Sequence, residues 1–162
     1  LGGKTKGEKM KLHERLGGFQ RKKYKTIQFN GHDLEVYVPT RNEMQELMAK
    51  MRKPSDEVVE AEYQALLQSL WEFATPNDDG IKVTDDDVIV QGSSMKTTAR
   101  YKAIQKMREI AMISLVGFKE GEDLFALSYD DISETLSEVD IKHLVELVQK
   151  TVDPSYEETK KN

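Results

Sequence analysis

The 162-residue chain has no cysteine. That absence excludes a disulfide framework, a thiolate metal site and a cysteine nucleophile, and it fits a reducing cytosol. No run of about 18 uninterrupted apolar residues occurs, so nothing reads as a membrane span. Neither G-x-G-x-x-G nor G-x-x-x-x-G-K-[ST] is present to cradle a phosphate, and no G-x-S-x-G elbow presents a serine nucleophile. The three histidines, His13, His32 and His143, have no short-range metal-binding spacing and read as surface residues. No catalytic residue, cofactor site or metal site emerges, and the chain is expected not to be an enzyme.

What is present suits one modest globular domain with mobile ends: 38% of residues are hydrophobic and 33% charged. The start, LGGKTKGEKM, has basic residues but no apolar stretch behind them and is not expected to be a secretory signal. Leu1 in place of Met reads as a cloning remnant or a processed start, and roughly the first nine residues are set aside from fold reasoning. Residues 1–23 read as a basic flexible arm, 24–152 as a single helical domain led by a hairpin, and 153–162 as a frayed polar tail. Residues 1–26 hold nine Lys/Arg against two Glu, a surplus of +7, so the remainder carries −12 against the chain's net −5. A basic arm on an acidic body can reach nucleic acid, dock on an acidic partner or stay solvated. Only Phe19 and Tyr24 interleave with its cations, which favours solvation.

The segment KTIQFNGHDLEVYVPT, residues 25–40, predicts a β-hairpin about an Asn30-Gly31 turn. Phe29 then faces His32, Ile27 faces Leu34 and Lys25 faces Val36. That register gathers Ile27, Phe29, Leu34, Val36 and Val38 on one face and Thr26, Gln28, Asp33 and Glu35 on the other. Thr40 with Glu43 forms a capping box for a helix carrying Met44, Leu47, Met48 and Met51 at i, i+3, i+4 and i+7. Pro54 ends it, and Ser55 caps a second helix whose inward face is Val59, Tyr63, Leu66, Leu67, Leu70 and Trp71. Pro76 and Gly80 break the chain, and residues 81–92 read as a short extended excursion or loop. A long central helix is expected from about Met95 to Val116, stopped by Gly117, with IAMISLVGF buried on most faces. Ser128 and Ser137 cap two further helices, the last with Val139, Leu144, Val145 and Val148 inward. The fold class is therefore mainly α (α+β), with about five helices and one N-terminal hairpin.

In TPNDDGIKVTDD, Asn77, Asp79 and Gly80 match an EF-hand loop, but Thr75 and Asp86 fall where an aspartate and a bidentate glutamate belong. It reads as an acidic turn, and TDDDV as a solvated loop or cap. The methionine stripe is the one feature that hints at a mechanism. At helical spacing it serves as core; unbranched and polarisable, it also suits a surface that accepts many apolar shapes.

A small hairpin IQFNGHDLEVYVPT, then RNEMQELMAKM, a helical body and a charged end resemble the tail assembly chaperones of long-tailed, siphovirus-type bacteriophages. The likeness covers roughly Tyr24 to Val152 and rests on the arrangement of parts. The basic arm and TPNDDGIKVTDDD lie outside that pattern. The resemblance implies a small, non-enzymatic, self-associating protein that coats the tape-measure protein in the host cytoplasm, recruits tail-tube subunits and leaves before the virion is complete. It also implies two lengths through a programmed ribosomal frameshift near the end of the shorter form, for which A-rich codons at Lys160–Asn162 would serve. Met44, Leu47, Met48 and Met51 are the expected client contacts. Ile27, Phe29, Leu34 and Val36 are the expected self-association residues, with the hairpin's edges open to a neighbouring subunit. Neither a membrane nor a cofactor is expected. The rival reading is a nucleic-acid-binding regulator using residues 4–25, and a calcium-responsive module ranks last.

Overall fold

The computed structural model describes residues 12–15 and 23–153. The remainder of the basic arm, the side chain of His13 and the tail from residue 154, with Lys160–Asn162, lie outside the described residues. Leu12–Arg15 form a single helical turn. Beyond it are β1 (Tyr24–Phe29), β2 (His32–Tyr37), α1 (Arg41–Arg52), α2 (Asp56–Phe73), β3 (Ile81–Val83), β4 (Val88–Val90) and β5 (Ser93–Ser94). They are followed by α3 (Met95–Ile113), β6 (Val116–Glu120), β7 (Asp123–Ala126), α4 (Tyr129–Thr135) and α5 (Glu138–Val152). The class is mainly helical α+β, as the sequence predicts. The hairpin register is also as expected, with Ile27 opposite Leu34 and Phe29 opposite His32. Asn30 and Gly31 both take positive φ, 49° and 80°, which twists the two-residue turn to match its strands. On the outer face Thr26 donates to Glu35 at 2.6 Å and Gln28 donates to Asp33.

The hairpin is not a free ribbon. It forms half of a four-stranded sheet in the order β1-β2-β6-β7, where Val36 pairs with Val116 and Glu35 with Gly117. The expectation of two open hairpin edges is therefore corrected: β6 pairs with Glu35 and Val36 of β2, and β1 and β7 are the sheet's edges among the described residues. The strand β6 comes from residues expected to end the central helix. That helix closes at Ile113, and after a short turn Leu115, Val116 and Gly117 lie buried. An apolar run this short satisfies a buried strand as well as a buried helix, and the β2 edge offered it partners. Gly117 is thus no helix stop. A Cβ there would lie 2.0 Å from the Phe125 carbonyl oxygen, so the missing side chain lets β7 cross close over β6. Gly121, at φ 62°, turns β6 into β7.

Beneath the sheet, α3 packs against α1, α2 and α5, so it is central as expected. Val36, Met112, Ile113, Val116, Leu144 and Val148 have essentially no solvent exposure, and each such side chain stabilises the fold by about 1.5–3 kcal/mol. Residues 81–92, expected as a short extended excursion or loop, take the extended form as the antiparallel β3-β4 pair, and β5 adds two residues to it. Asp87 ties this small sheet to α3. Its carboxylate accepts from Ser94 Oγ, from the Val88 amide at 2.7 Å and from the Lys96 amide at 3.1 Å. Val139, expected inward, is 75% exposed; Ile141 takes that place with Leu144, Val145 and Val148.

Candidate partner-binding surface

Helix α1 begins as the capping box requires. The Thr40 amide donates to Glu43 Oε1 at 2.8 Å, and the Glu43 amide donates to Thr40 Oγ1 at 3.2 Å. The Tyr37 hydroxyl also donates to Glu43, at 2.8 Å, fixing the helix start to the end of β2. Yet no residue of this twelve-residue helix is buried. Leu47 and Met51 touch the core, Met44 is half-buried, and Met48 is 39% exposed. The stripe therefore straddles the boundary: one side, Leu47 and Met51, anchors the helix on the body, and the other, Met44 and Met48, is outside that core.

Helix α2 repeats the pattern. Ser55 caps it, with its Oγ accepting from the Val58 amide at 3.3 Å. Of its eighteen residues only Tyr63 is buried. Val59, Leu66, Leu67 and Leu70 are half-buried, and Trp71, expected inward, is exposed. Phe73, which no periodicity argument singled out, is 88% exposed. Both helices pack on α3 with their apolar faces only partly covered.

A second apolar surface was missed by sequence reasoning. Phe29 and Leu34 of the hairpin, Phe118 of β6, and Leu127, Ile132 and Leu136 around α4 line a groove of about 470 Å³. Phe118 stands opposite Phe125 across β6 and β7, and the two are 56% and 55% exposed. The available signal was the alternation of Val116 and Phe118 before a Glu-Gly turn, hidden by the helical reading of IAMISLVGF. The expected self-association residues Ile27, Phe29, Leu34 and Val36 are all buried within the chain's own core, although Phe29 and Leu34 also contribute to the floor of this groove. Exposed His143 stacks on the Phe29 ring with centroids 5.8 Å apart.

Polar groups elsewhere are engaged with one another. A cleft of about 590 Å³ is lined by Lys102, Lys106, Arg108 and Lys142 and by Glu62, Glu109, Glu138 and Glu146, so neither sign is in excess. Within it Lys106 pairs with Glu62 at 4.0 Å, and the Tyr129 hydroxyl donates to Glu109 at 3.3 Å. Burial and the nearby Glu138 charge hold Glu109 above the ordinary carboxylate value, outweighing the Tyr129 bond and the Lys142 and Arg108 charges. Tyr129 is raised by burial and by the Glu109 charge, and Tyr63 by burial and by Asp87. Burial raises Asp87, but the bonds from Ser94, Val88 and Lys96, with the Lys96 charge, bring it below its ordinary value. In the EF-hand-like stretch, the Thr75 amide and hydroxyl both donate to Asp78, at 3.0 and 2.9 Å, and the Thr84 hydroxyl donates to Asp86 at 3.2 Å. Among the described residues no group of three or more acidic or histidine side chains is arranged to hold a metal ion. No described helix is long and apolar enough to cross a membrane.

Comparison with protein-family models, with curated proteins and with solved structures finds no match for this chain.

Proposed function

We propose that this chain is a non-enzymatic assembly chaperone of the bacteriophage-tail type. In the host cytoplasm it binds the tape-measure protein, a long helical client, and recruits tail-tube subunits. The observation that carries the reading is α1, a capped and regular helix that fully buries no residue: Leu47 and Met51 touch the core, while Met44 is half-buried and Met48 exposed. Such a face can be covered by a partner at little cost in ordering, because the helix is already formed. Methionine adapts to the varied apolar side chains of a repetitive helix, and the partly exposed α2 stripe widens the surface. Each contact is weak, and many copies along one client make the sum strong and reversible. Self-association uses the edge strand β1 rather than the buried hairpin face, since β1 has no strand neighbour on its outer side among the described residues.

The test is substitution on the open side of the stripe. Met48→Lys combined with Phe73→Lys changes side chains that are 39% and 88% exposed, and a thermal melt checks that the variant is folded. Capture of a co-expressed tape-measure protein is expected to be lost. Undiminished capture by the folded double variant would remove this surface from the account. Nucleic-acid binding that falls steeply with salt and vanishes on deletion of residues 1–23, with no capture of the client, would favour the rival reading of a nucleic-acid-binding regulator.

A further inference from the structure

The groove beside α4 is apolar, and the chain contains a segment suited to it. The groove floor is apolar, yet α4 carries Asp130, Asp131 and Glu134, all exposed and none in an ion pair with a described residue. A ligand for such a site has apolar anchors between cations. Residues 9–16, KMKLHERL, have that composition: Leu12 and Leu16 stand four apart, one helical turn, among Lys9, Lys11 and Arg15. Leu12 begins the helical turn Leu12–Arg15 and is 69% exposed, an apolar side chain without cover.

Reach decides which part of the segment can enter. Lys23 lies at the start of β1, where its carbonyl accepts from the Val38 amide at 2.7 Å. The groove lies at the other end of that strand, beside Phe29, a six-residue strand or about 20 Å away. Four residues from Lys23 back to Phe19 span at most about 14 Å, whereas seven residues to Leu16 span about 23 Å. Leu16 and Leu12 can therefore arrive, and Phe19 cannot. Tethering also raises the local concentration of the segment into the millimolar range, enough to populate a contact that would be weak between separate molecules.

We propose that the basic N-terminal segment folds back on its own body, setting Leu12 and Leu16 into the groove floored by Phe29, Leu34 and Phe118, its cations facing Asp130, Asp131 and Glu134. The docked form exchanges with an undocked one, in which Leu12 is exposed. The inference goes beyond the chaperone reading and does not depend on which client the chain binds.

The chain has no cysteine, so the full-length protein accepts a single nitroxide label cleanly. With Thr135→Cys labelled at the groove rim, the amides of residues 10–16 in the nitrogen-15-enriched chain are expected to lose most of their peak intensity. That loss should be reversed at about 1 M salt, where the screening length falls to about 3 Å. Phe118→Lys with Asp131→Lys in the same labelled chain should also restore the intensity. A label at Gln68→Cys on α2 should leave the segment unaffected. No broadening from the Thr135 site, or equal broadening from both sites, would overturn the proposal. So would broadening that appears when labelled, unenriched chain is mixed with enriched, unlabelled chain, because the segment would then occupy a second copy.

Discussion

Gly117→Ala separates two accounts of the same residue. If Gly117 closed a helix, alanine would have to take a left-handed conformation at a cost of roughly 1–2 kcal/mol. In the structure its φ is not positive, and the constraint comes from space. An added Cβ would meet the Phe125 carbonyl oxygen at 2.0 Å and the Ala126 Cα and Phe125 carbonyl carbon at 2.7 Å. All three atoms are backbone, so no rotamer change relieves the clash and β7 must move by more than an ångström. Overpacking of this kind costs about 1–3 kcal/mol. The displacement also weakens the bond from the Leu127 amide to the Val116 carbonyl, 2.9 Å long, and the adjoining Gly117–Ala126 pairing, at about 1 kcal/mol per bond. The expected loss is about 3–5 kcal/mol, a large share of the roughly 5–15 kcal/mol that holds a domain together. Urea unfolding followed by far-ultraviolet circular dichroism reads it directly, and a thermal melt should show a fall in melting temperature on the order of 10 °C. Gly121→Ala is the control: it has φ 62° but nothing within 4 Å, and it should cost about 1 kcal/mol. A Gly117→Ala protein no less stable than that control would refute the close crossing of β7, and with it the groove that Phe118 helps to line.

Other perturbations test the charged groups and the caps. Asp87 has its folded-state pKa lowered from 3.8, so its contribution is present above that value and is lost as pH falls through the lowered one. Asp87→Ala, which removes three accepted hydrogen bonds, should cost about 2–3 kcal/mol at neutral pH; titrating unfolding midpoints from neutral to acid should show that difference shrinking. Glu109 has the opposite sign: its folded-state pKa is raised from 4.5, so the associated stability is full below 4.5 and lost as pH rises through the raised value. Glu109→Gln keeps an acceptor for Tyr129 and should match or exceed the parent's stability at neutral pH, which thermal melts at two pH values will show. Thr40→Ala should cost about 1 kcal/mol by loss of the α1 cap, read as a small drop in urea midpoint without a change in slope.

Local chemistry made much of this fold legible. Asn30-Gly31 and the strict alternation around it determined the hairpin register, and serine or threonine caps located α1, α2, α4 and α5. What the sequence obscured was long-range. Whether Leu115, Val116 and Gly117 continue a helix or pair with β2 depends on an edge contributed by residues about eighty positions earlier, and no local period reports it. Residues 81–92 suffered from the reverse problem, because three aspartates mask a strand alternation that Asp87 in fact organises by accepting from Ser94 and from backbone amides. The candidate surface divided in the same way. The methionine stripe was visible as a helical period, whereas the groove needs Phe118, Leu127 and Ile132 brought together by a β6-β7 hairpin that helical reading had erased.

The central claim is that this chain keeps a long helical client soluble through an open apolar surface. The most direct measurement is co-expression of the full-length protein with the tape-measure protein of the same genome, scored for client solubility and for copies of this chain bound per client. The account predicts a soluble client that co-purifies with many copies, with or without residues 1–23. A client that remains insoluble and unbound, beside a folded and well-expressed chain, would contradict it.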